Sequence, residues 1–155
     1  MRKGRAKQRP LIPDPRYGDT TVSRFVNNMM LDGKKSIAYK IFYEAMDYIE
    51  EKTKENPLEQ FKKSLENCTP AVEVRSRRVG GATFQIPREV RQTRRVSLGM
   101  RWLISYARKR NGRSMAQKLG EEIIAAAKEE GAAYKKKEDT HRMAEANKAF
   151  SHFRF

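Results

Sequence analysis

Residues 72–86 read VEVRSRRVGGATFQI, and residues 91–110 read RQTRRVSLGMRWLISYARKR. In the first stretch, apolar and polar side chains largely alternate around Gly80-Gly81, which predicts a β-hairpin whose return strand ends at Pro87. In the second stretch, apolar side chains recur every three or four residues, which predicts an amphipathic helix. These two stretches decide the fold, because they indicate a hairpin that leaves a helical body.

Helical spacing and end signals predict three helices before the hairpin and three after it. The first three are expected to begin at Asp19 or Thr20, at about Ser36 and at Asn56-Pro57, and to end at Gly33, at Lys54 and before Pro70. The last three are expected at about 91–110, 114–130 and 132–149, with a cap at Ser114 and breaks at Gly112 and Gly131. The predicted fold is mainly α. It has an extended basic arm over residues 1–18 and one six-helix domain over residues 19–155, with a protruding hairpin at about 71–87.

The second helix is expected to have two different faces. By their spacing, the inward side chains are Ile37, Ile41, Ala45, Tyr48 and Ile49. The outward face contains the acids Glu44, Asp47, Glu50 and Glu51 together with a few lysines. A phosphate backbone repels such a face, so we expect it to point away from any nucleic acid.

The composition points to a polyanionic partner. The 155 residues include 34 Lys and Arg against 19 Asp and Glu, which gives a formal net charge of +15. Self-repulsion destabilises such a protein when it is free, whereas binding a nucleic acid removes the repulsion and releases counterions. An anionic membrane surface is the weaker alternative, and no apolar run is long enough to cross a bilayer. The single cysteine, Cys68, excludes an internal disulfide and suits the cytoplasm.

The arm has three prolines and few apolar side chains, so it cannot bury enough surface to fold alone. Its cations are Arg2, Lys3, Arg5, Lys7, Arg9 and Arg16. We expect the arm to become ordered on RNA, and a plain disordered tail is the alternative.

Arginines are concentrated in residues 75–113, which hold eleven of the eighteen and only one acid, Glu89. A planar guanidinium can pair a phosphate with two N–H groups and can stack on a base. On the fourth helix, three arginines seven residues apart superpose opposite the apolar side. They are Arg94, Arg101 and Arg108, with Arg91 beside them, and we call these four the arginine ridge. We expect the ridge to have no acidic neighbour and to contact RNA; a solvated helix face is the alternative.

Other basic positions are less distinctive. In the hairpin, Arg75 and Arg77 share a strand face with Glu73, and Arg78 lies on the other face. Because an isolated two-stranded ribbon is barely stable, this hairpin either inserts into a larger particle or folds back on its own helices. Further candidate contacts are Arg95, Arg110, Arg113, Lys34, Lys35, Lys136 and Arg142, although solubilising surface charge is an equally good explanation for the outlying lysine clusters.

The sequence offers no convincing active site. His141 and His152 are the only histidines, and neither has a cysteine or histidine at metal-ligand spacing. A catalytic Cys68 thiol and an acid–base cluster at 138–141 are both disfavoured, and no phosphate-binding loop occurs. We therefore expect a non-enzymatic protein without a metal or cofactor.

Two other classes remain as alternatives on the residues alone. The fourth and fifth helices could imitate a helix-turn-helix, which would indicate a DNA-binding architectural or regulatory protein. An RNA-modifying enzyme is the third possibility, although no nucleophile or cofactor loop supports it. Aromatic side chains beside basic residues could stack on unpaired bases, but at helical spacing they more often belong to a core. The candidates are Tyr17, Phe84, Trp102 and Tyr106.

Several long motifs are spread over essentially the whole chain. They comprise Asp19, Val22, Phe25-Val26, Gly33-Lys34-Lys35, Ile41-Phe42 and Ala45, then VEVRSRRVGG at 72–81, Ile86-Pro87, and DTHRMAEANKAF at 139–150. Together these motifs resemble the small-subunit ribosomal protein seven family, in its bacterial form.

The resemblance implies a helical protein with an extended hairpin, located on the ribosome, that binds the 3′ major domain of small-subunit ribosomal RNA and nucleates assembly of the head. It implies an rRNA surface made of the arm, Lys34-Lys35, the arginine ridge and parts of the last helix. It also implies that the hairpin, with Arg75, Arg77, Arg78 and Gly80-Gly81, lies beside the exit-site tRNA and the mRNA path. Small-subunit ribosomal proteins nine and eleven are the implied protein neighbours.

Overall fold

The computed structural model describes residue 4 and residues 9–153, which form six α-helices, one antiparallel two-stranded sheet and one 3₁₀ segment. The helices are α1 (Thr20–Met29), α2 (Lys35–Thr53), α3 (Pro57–Cys68), α4 (Gln92–Lys109), α5 (Met115–Ala127) and α6 (Ala132–Ala146). The strands are β1 (Val72–Val79) and β2 (Ala82–Glu89), and the 3₁₀ segment is Lys148–Phe153. The prediction of a mainly helical fold with one hairpin is confirmed.

Side-chain caps explain where three of the helices begin. Asp19, Asn56 and Ser114 each accept a hydrogen bond from a backbone N–H two or three residues later, at 2.6, 3.0 and 3.2 Å respectively. Each of these bonds satisfies an N–H group that has no partner inside the first turn of a helix. Between α5 and α6 the chain turns at Gly131, whose φ of 94° favours glycine. The caps predicted for α1, α3 and α5 are thus confirmed.

A cluster of aromatic rings joins the first three helices. Phe25 of α1, Phe42 of α2 and Phe61 of α3 are fully buried, and their ring centroids lie 5.0 to 5.7 Å apart. The rings meet at steep angles, the tilted and edge-to-face arrangements that the aromatic quadrupole favours. This contact fixes α1 against α2 and α3.

Helix α5 is the centre of the helical body and contacts α2, α3, α4 and α6. Leu119 and Ile123 are completely buried on it. At Gly120, an added Cβ would lie 2.6 Å from Cδ1 of Tyr48, so the close approach of α2 and α5 requires a residue without a side chain. Helices α2 and α4 both pack on α5, and their backbones do not come close to each other within the described residues. The acidic helix and the arginine-rich helix are thereby kept apart.

The predicted inward face of α2 is partly wrong. Ala45 and Ile49 are buried as expected, but Ile37 is 51% exposed, and Ile41 and Tyr48 are only half-buried. The other buried positions are Ala38, Phe42 and Met46. The buried stripe is shifted because α2 must face both α1 and α5, and the largest apolar side chain of the helix joins the aromatic cluster. The acids Glu44, Asp47, Glu50 and Glu51 are exposed, as expected.

The hairpin turn is built from two glycines. Gly80 and Gly81 have φ values of 57° and 90°, and two successive residues with positive φ form the type I′ turn that matches the twist of paired strands. Val79 pairs with Ala82 directly beside the turn. The predicted glycine turn is confirmed.

The return strand does not end at Pro87, contrary to the prediction, but continues to Glu89. The N–H of Val90 donates to the carbonyl of Ala71 at 3.0 Å, and hydrogen-bonded pairs alternate along an antiparallel ladder. Pro87 pairs with Val74, three pairs further along the ladder, and is therefore at a non-hydrogen-bonded position. No backbone N–H is needed there. A proline is therefore compatible with the strand.

The end of the chain turns back onto the hairpin. Helix α6 ends at Ala146, earlier than the predicted 149, and the 3₁₀ segment that follows contacts β2. The ring centroids of Phe150 and Phe84 lie 5.2 Å apart. At the base of the hairpin, Nε2 of His141 on α6 accepts the N–H of Ala71 at 3.1 Å. The hairpin therefore packs on its own protein along one face, while its turn is exposed.

Part of the predicted arm is docked on the helices. Asp14 is buried, and its carboxylate accepts the N–H groups of Arg16 and Tyr17 and the hydroxyl of Tyr43, at 3.1, 2.8 and 2.7 Å. The hydroxyl of Ser23 on α1 donates to the carbonyl of Ile12 at 2.8 Å. These contacts hold residues 12–17, so a free arm could include only residues that precede them.

Candidate nucleic-acid interface

The arginine ridge lies on the outer face of α4, as predicted. Its four side chains, Arg91, Arg94, Arg101 and Arg108, are all exposed. The opposite face of the helix carries the buried side chains Met100, Leu103, Ile104 and Ala107, with Val96 and Trp102 half-buried at its edges. The segregation predicted from the helical wheel is confirmed.

The expectation that the ridge has no acidic neighbour is wrong at Arg94. Its Nε lies 3.2 and 3.0 Å from the two carboxylate oxygens of Glu73, and its Nη2 lies 2.9 Å from one of them. Glu73 belongs to β1, so the wheel of α4 alone could not reveal this partner. The ion pair connects the first turn of α4 to the base of the hairpin.

Arg108 connects the other end of the ridge to α1. Its Nη2 donates to the carbonyl of Met29 at 2.8 Å, in the last turn of α1, where carbonyl groups lack helical partners. Lys34, which ends the loop that follows, and Lys35, the first residue of α2, are both exposed. Nζ of Lys35 lies 5.7 Å from the ring centroid of Tyr39. Arg108 thus joins the ridge to the end of the helix that precedes Lys34-Lys35 in the chain.

Arg110 has a different environment from the ridge. Its Nε lies 2.5 Å from Oε2 of Glu122, a side chain of α5 that is completely buried, and its Nη1 lies 3.7 Å from Glu121. The other oxygen of Glu122 accepts the N–H of Ala133 at 2.9 Å, in the first turn of α6. Arg110 therefore neutralises a buried carboxylate that joins α4, α5 and α6, and this leaves it little capacity for an external phosphate.

A polar groove between α1 and α4 borders the ridge, and the sequence had not indicated it. Its lining includes Arg24, Asn27 and Asn28 of α1 and Thr93 and Ser97 of α4. Ser97 lies one turn from both Arg94 and Arg101, so the groove and the ridge are adjacent. Arg24 also lines a second groove, between α1, α3 and α4, together with Lys62 and Arg95. The polar i, i+3, i+4 spacing of residues 24, 27 and 28 was the signal that could have revealed this face.

The remaining candidates are more scattered. Arg95 is half-buried, and its Nε donates to the carbonyl of Val90 at 2.9 Å. Arg113, in the loop before α5, and Arg142, on α6, are exposed, whereas Lys136 is half-buried. Helix α6 contacts α4, so its basic positions belong to an element next to the ridge.

The hairpin register confirms the predicted faces. Arg75 and Arg77 share a face with Glu73, and Arg78 lies on the opposite face next to the turn. All three arginines and both turn glycines are exposed.

In the arm, Arg9 is exposed, whereas Arg2, Lys3, Arg5 and Lys7 lie outside the described residues. Nη2 of Arg16 lies 2.7 Å from the carboxylate of Asp47 on α2. The aromatic candidates have internal contacts: Tyr17 packs edge-on against Phe42, and Trp102 and Tyr106 are half-buried against the core.

The groups that could suggest catalysis have structural roles. Burial, reinforced by the charge of Glu122, raises the pKa of the Cys68 thiol to about 12, so it stays protonated at neutral pH. Burial, together with the nearby Lys137, lowers the pKa of His141, which favours the neutral ring that accepts the Ala71 N–H. No cluster of metal-binding side chains and no helix able to cross a membrane occurs in residues 9–153.

A helical body with an exposed arginine ridge is typical of basic proteins that bind polyanions. The family model described as "Ribosomal protein S7p/S5e" matches residues 1–148. Over the full length of both chains, the sequence is 64% identical to "Small ribosomal subunit protein uS7" of Flavobacterium johnsoniae and 62% identical to the proteins of that name from Flavobacterium psychrophilum and Cytophaga hutchinsonii. The chain therefore belongs to the ribosomal protein S7p/S5e family, and it is a ribosomal protein and not an enzyme.

Proposed function

We propose that the chain is a structural constituent of the small ribosomal subunit that binds the 3′ major domain of the rRNA directly and nucleates assembly of the head. Membership of the family and the small-subunit names of its relatives support the assignment to that subunit. The observation that carries the RNA-binding role is the arginine ridge, whose cations are exposed on the face of α4 opposite the core.

The proposed rRNA surface extends from the ridge in two directions. On one side it includes the α1–α4 groove with Arg24, and beyond α1 it includes Lys34-Lys35. On the other side it includes basic positions of α6. Arg110 is left out, because Glu122 already occupies its guanidinium. The remaining members are Arg95, Arg113, Lys136, Arg142 and the arm cations Arg2, Lys3, Arg5, Lys7 and Arg9.

Recognition on this surface depends on phosphate positions and RNA shape. Exposed guanidinium groups neutralise phosphates and release counterions, which supplies affinity without reading a base. Asn27, Asn28, Thr93 and Ser97 in the groove add amide and hydroxyl groups that can bond to a sugar hydroxyl or a phosphate oxygen. A helical scaffold fixes the spacing of all these groups.

We assign the hairpin to the path of the exit-site tRNA and the mRNA. The exposed glycine turn and the exposed Arg75, Arg77 and Arg78 support a contact with RNA outside the main rRNA surface. Small-subunit ribosomal proteins nine and eleven are the proposed neighbours, as the family resemblance implies. The acidic outer face of α2, on a helix whose described backbone does not come close to α4, is available for contacts other than RNA.

Filter binding to a 3′-domain rRNA fragment tests the proposed surface. Changing Arg94, Arg101 and Arg108 to Glu should weaken binding about 100-fold, because hydrogen bonds between charged groups are lost and repulsion replaces them. Changing Lys40, Lys52 and Lys128 to Glu is the matched control, since it alters the net charge equally at two exposed positions of α2 and at the exposed residue that follows α5. Equal losses in both variants, or unaltered affinity in the first, would refute this surface.

The salt dependence gives a second test. Each phosphate contact should contribute about −0.9 to the log–log slope of affinity against salt for duplex RNA regions, and about −0.7 for single strands. A nearly flat slope for the wild-type protein contradicts an interface dominated by phosphates.

The helix-turn-helix alternative finds no support in α5. A recognition helix must expose one face to a groove, whereas α5 is surrounded by α2, α3, α4 and α6. Duplex DNA should therefore be displaced by the rRNA fragment in competition, and tight DNA binding that rRNA cannot displace would reverse this assignment.

A further inference from the structure

Arg94 differs from the rest of the ridge in having a carboxylate behind it. Glu73 occupies Nε and one side of Nη2, at 2.9 to 3.2 Å, yet the Arg94 side chain remains 48% exposed. Nη1 has no partner among the described residues, and neither does any group of the Arg101 side chain. Arg94 therefore has one occupied edge and one outward edge, while Arg101 is unconstrained.

Glu73 is itself held in place. Its side chain is only 15% exposed, and Nε of Arg88 approaches it to 3.5 Å. Arg88 is its direct pairing partner on β2, so the two strands jointly fix the carboxylate. The orientation of Arg94 is thus determined by the hairpin and not by α4 alone.

We propose that Glu73 is a positioning residue that fixes the outward edge of Arg94 so that it recognises a paired acceptor at one defined place on the folded rRNA. The proposal rests on the proposed rRNA-binding function and deepens it. Arg94 contributes specificity, whereas Arg101 and Arg91 contribute mainly affinity.

The chemistry follows from the shape of the guanidinium. With the Nε edge occupied, the remaining N–H groups on Nη1 and Nη2 point away from Glu73 as a fork. A fork of this kind matches either two oxygens of one phosphate or the O6 and N7 atoms of a guanine. Because its rotamer is already fixed, Arg94 loses little conformational entropy on binding, so a correctly placed acceptor is favoured over a misplaced one.

The effect of Glu73→Gln on affinity has an unusual expected sign. The substitution removes a negative charge beside a phosphate-binding surface, so simple electrostatics predicts tighter binding to every RNA. We expect instead that affinity for the 3′-domain fragment falls about tenfold, which is about 1.4 kcal/mol. Affinity for an unrelated RNA of the same length should stay equal or rise. Filter binding at fixed salt measures both, and tighter binding to both RNAs would overturn the proposal.

Glu89→Gln is the matched control. Glu89 is exposed on the same hairpin, on the face opposite Glu73, and it is the only other acid in residues 72–113. The same change of charge there should alter both affinities by less than about twofold in the direction of tighter binding. A loss as large as that of Glu73→Gln would show that the effect is not positional and would overturn the proposal.

Arg94→Lys provides a test that leaves the charge of the ridge intact. Lysine has no planar fork, so we expect the same loss of discrimination between the 3′-domain fragment and an unrelated RNA. Adding Glu73→Gln to this variant should not lower the affinity for the fragment any further. If the two substitutions lower the affinity additively, Glu73 does not act through Arg94. Urea unfolding of each variant shows whether a change in stability accompanies the change in binding.

Replacing guanosine by 7-deazaguanosine in the fragment distinguishes the two acceptors. If the acceptor is a guanine, the modified fragment should bind the wild type more weakly than the normal fragment does, whereas the affinity of Glu73→Gln should not fall further. If the acceptor is a phosphate, the ratio of the affinities of the two proteins should be the same for both fragments. Failure of this inference is separable from failure of the proposed function. If Arg101→Glu weakens binding while Glu73→Gln does not, the rRNA surface stands and only the positioning role falls.

Discussion

Arg101 and Arg110 are nine residues apart on one stretch of chain and have opposite surroundings. Arg101 is exposed in the middle of the arginine ridge and has no partner among the described residues. Arg110, at the end of α4, contacts the fully buried Glu122. The first is available to an external anion, and the second compensates an internal one.

The difference teaches that positive charge in a sequence does not by itself identify a binding residue. Both arginines belong to the cluster at 75–113, and both were candidate RNA contacts. Only Arg110 lies next to a carboxylate that the protein has removed from water, and a buried charge without a partner is very unfavourable. The position of that carboxylate, on α5, decides the role of an arginine on α4.

Removing Arg110 should produce the largest effect on stability. Arg110→Met leaves Glu122 buried without its ion pair, so we expect the free energy of unfolding to fall by about 3 kcal/mol. Urea denaturation followed by circular dichroism measures this change. Arg101→Met is the control and should remain within about 0.5 kcal/mol of the wild type. Comparable stability of the two variants would remove the distinction between these regions.

Reversing the charge of Arg101 should affect binding and not folding. We expect Arg101→Glu to weaken binding to the 3′-domain rRNA fragment about tenfold. The log–log slope of affinity against salt should become shallower by the amount that about one phosphate contact contributes. Its unfolding free energy should be unchanged within about 0.5 kcal/mol. An unchanged salt slope would mean that Arg101 touches no phosphate.

Arg108 offers an intermediate case that sharpens the comparison. It is exposed on the ridge, yet it also donates to the carbonyl of Met29. We expect Arg108→Met to lower the unfolding free energy by about 1 kcal/mol and to weaken RNA binding as well. Denaturation and filter binding on the same preparation would show both losses. A loss of stability alone would group Arg108 with Arg110, and a loss of RNA binding alone would group it with Arg101.

The smallest expected effect is a dependence of stability on pH at the base of the hairpin. The pKa of His141 is lowered by burial and by Lys137, so the folded protein favours the neutral ring. The stabilisation that neutral His141 gives the folded protein should be complete above the pKa of histidine in the unfolded chain, about 6.5. It should be lost as the pH falls through the lower pKa of the folded protein. We expect urea midpoints to drop less in His141→Gln than in the wild type between about pH 7.5 and pH 5.5. His152→Gln, at an exposed position, is the control.

Local signals predicted much of this fold because they act over a few residues. The caps at Asp19, Asn56 and Ser114 and the glycine turn of the hairpin depend on neighbouring backbone groups, and all were found as expected. The buried stripe of α2 was mispredicted, since it depends on which helices lie beside it. Pro87 was misjudged because hydrogen-bonded and non-hydrogen-bonded positions alternate along a ladder, and spacing alone does not say which one a residue occupies.

The candidate site divides in the same way. The wheel of α4 was sufficient to separate exposed arginines from buried aliphatic side chains. Arg24 was missed because its importance comes from α1 lying beside α4, a contact between residues about 70 positions apart in sequence. The partners Glu73 of Arg94 and Glu122 of Arg110 belong to other elements as well.

The sequence by itself determined the helices, the hairpin, the excess of positive charge and the side of α4 on which the arginines lie. These follow from backbone preferences and from the separation of apolar and charged side chains within one element. Only the tertiary structure decided which arginines stay available to RNA, because an arginine is neutralised by whichever carboxylate the packing of other elements brings near it. Arg94, Arg101 and Arg110 are the same residue type in one segment, and Glu73 and Glu122 make them three different chemical groups.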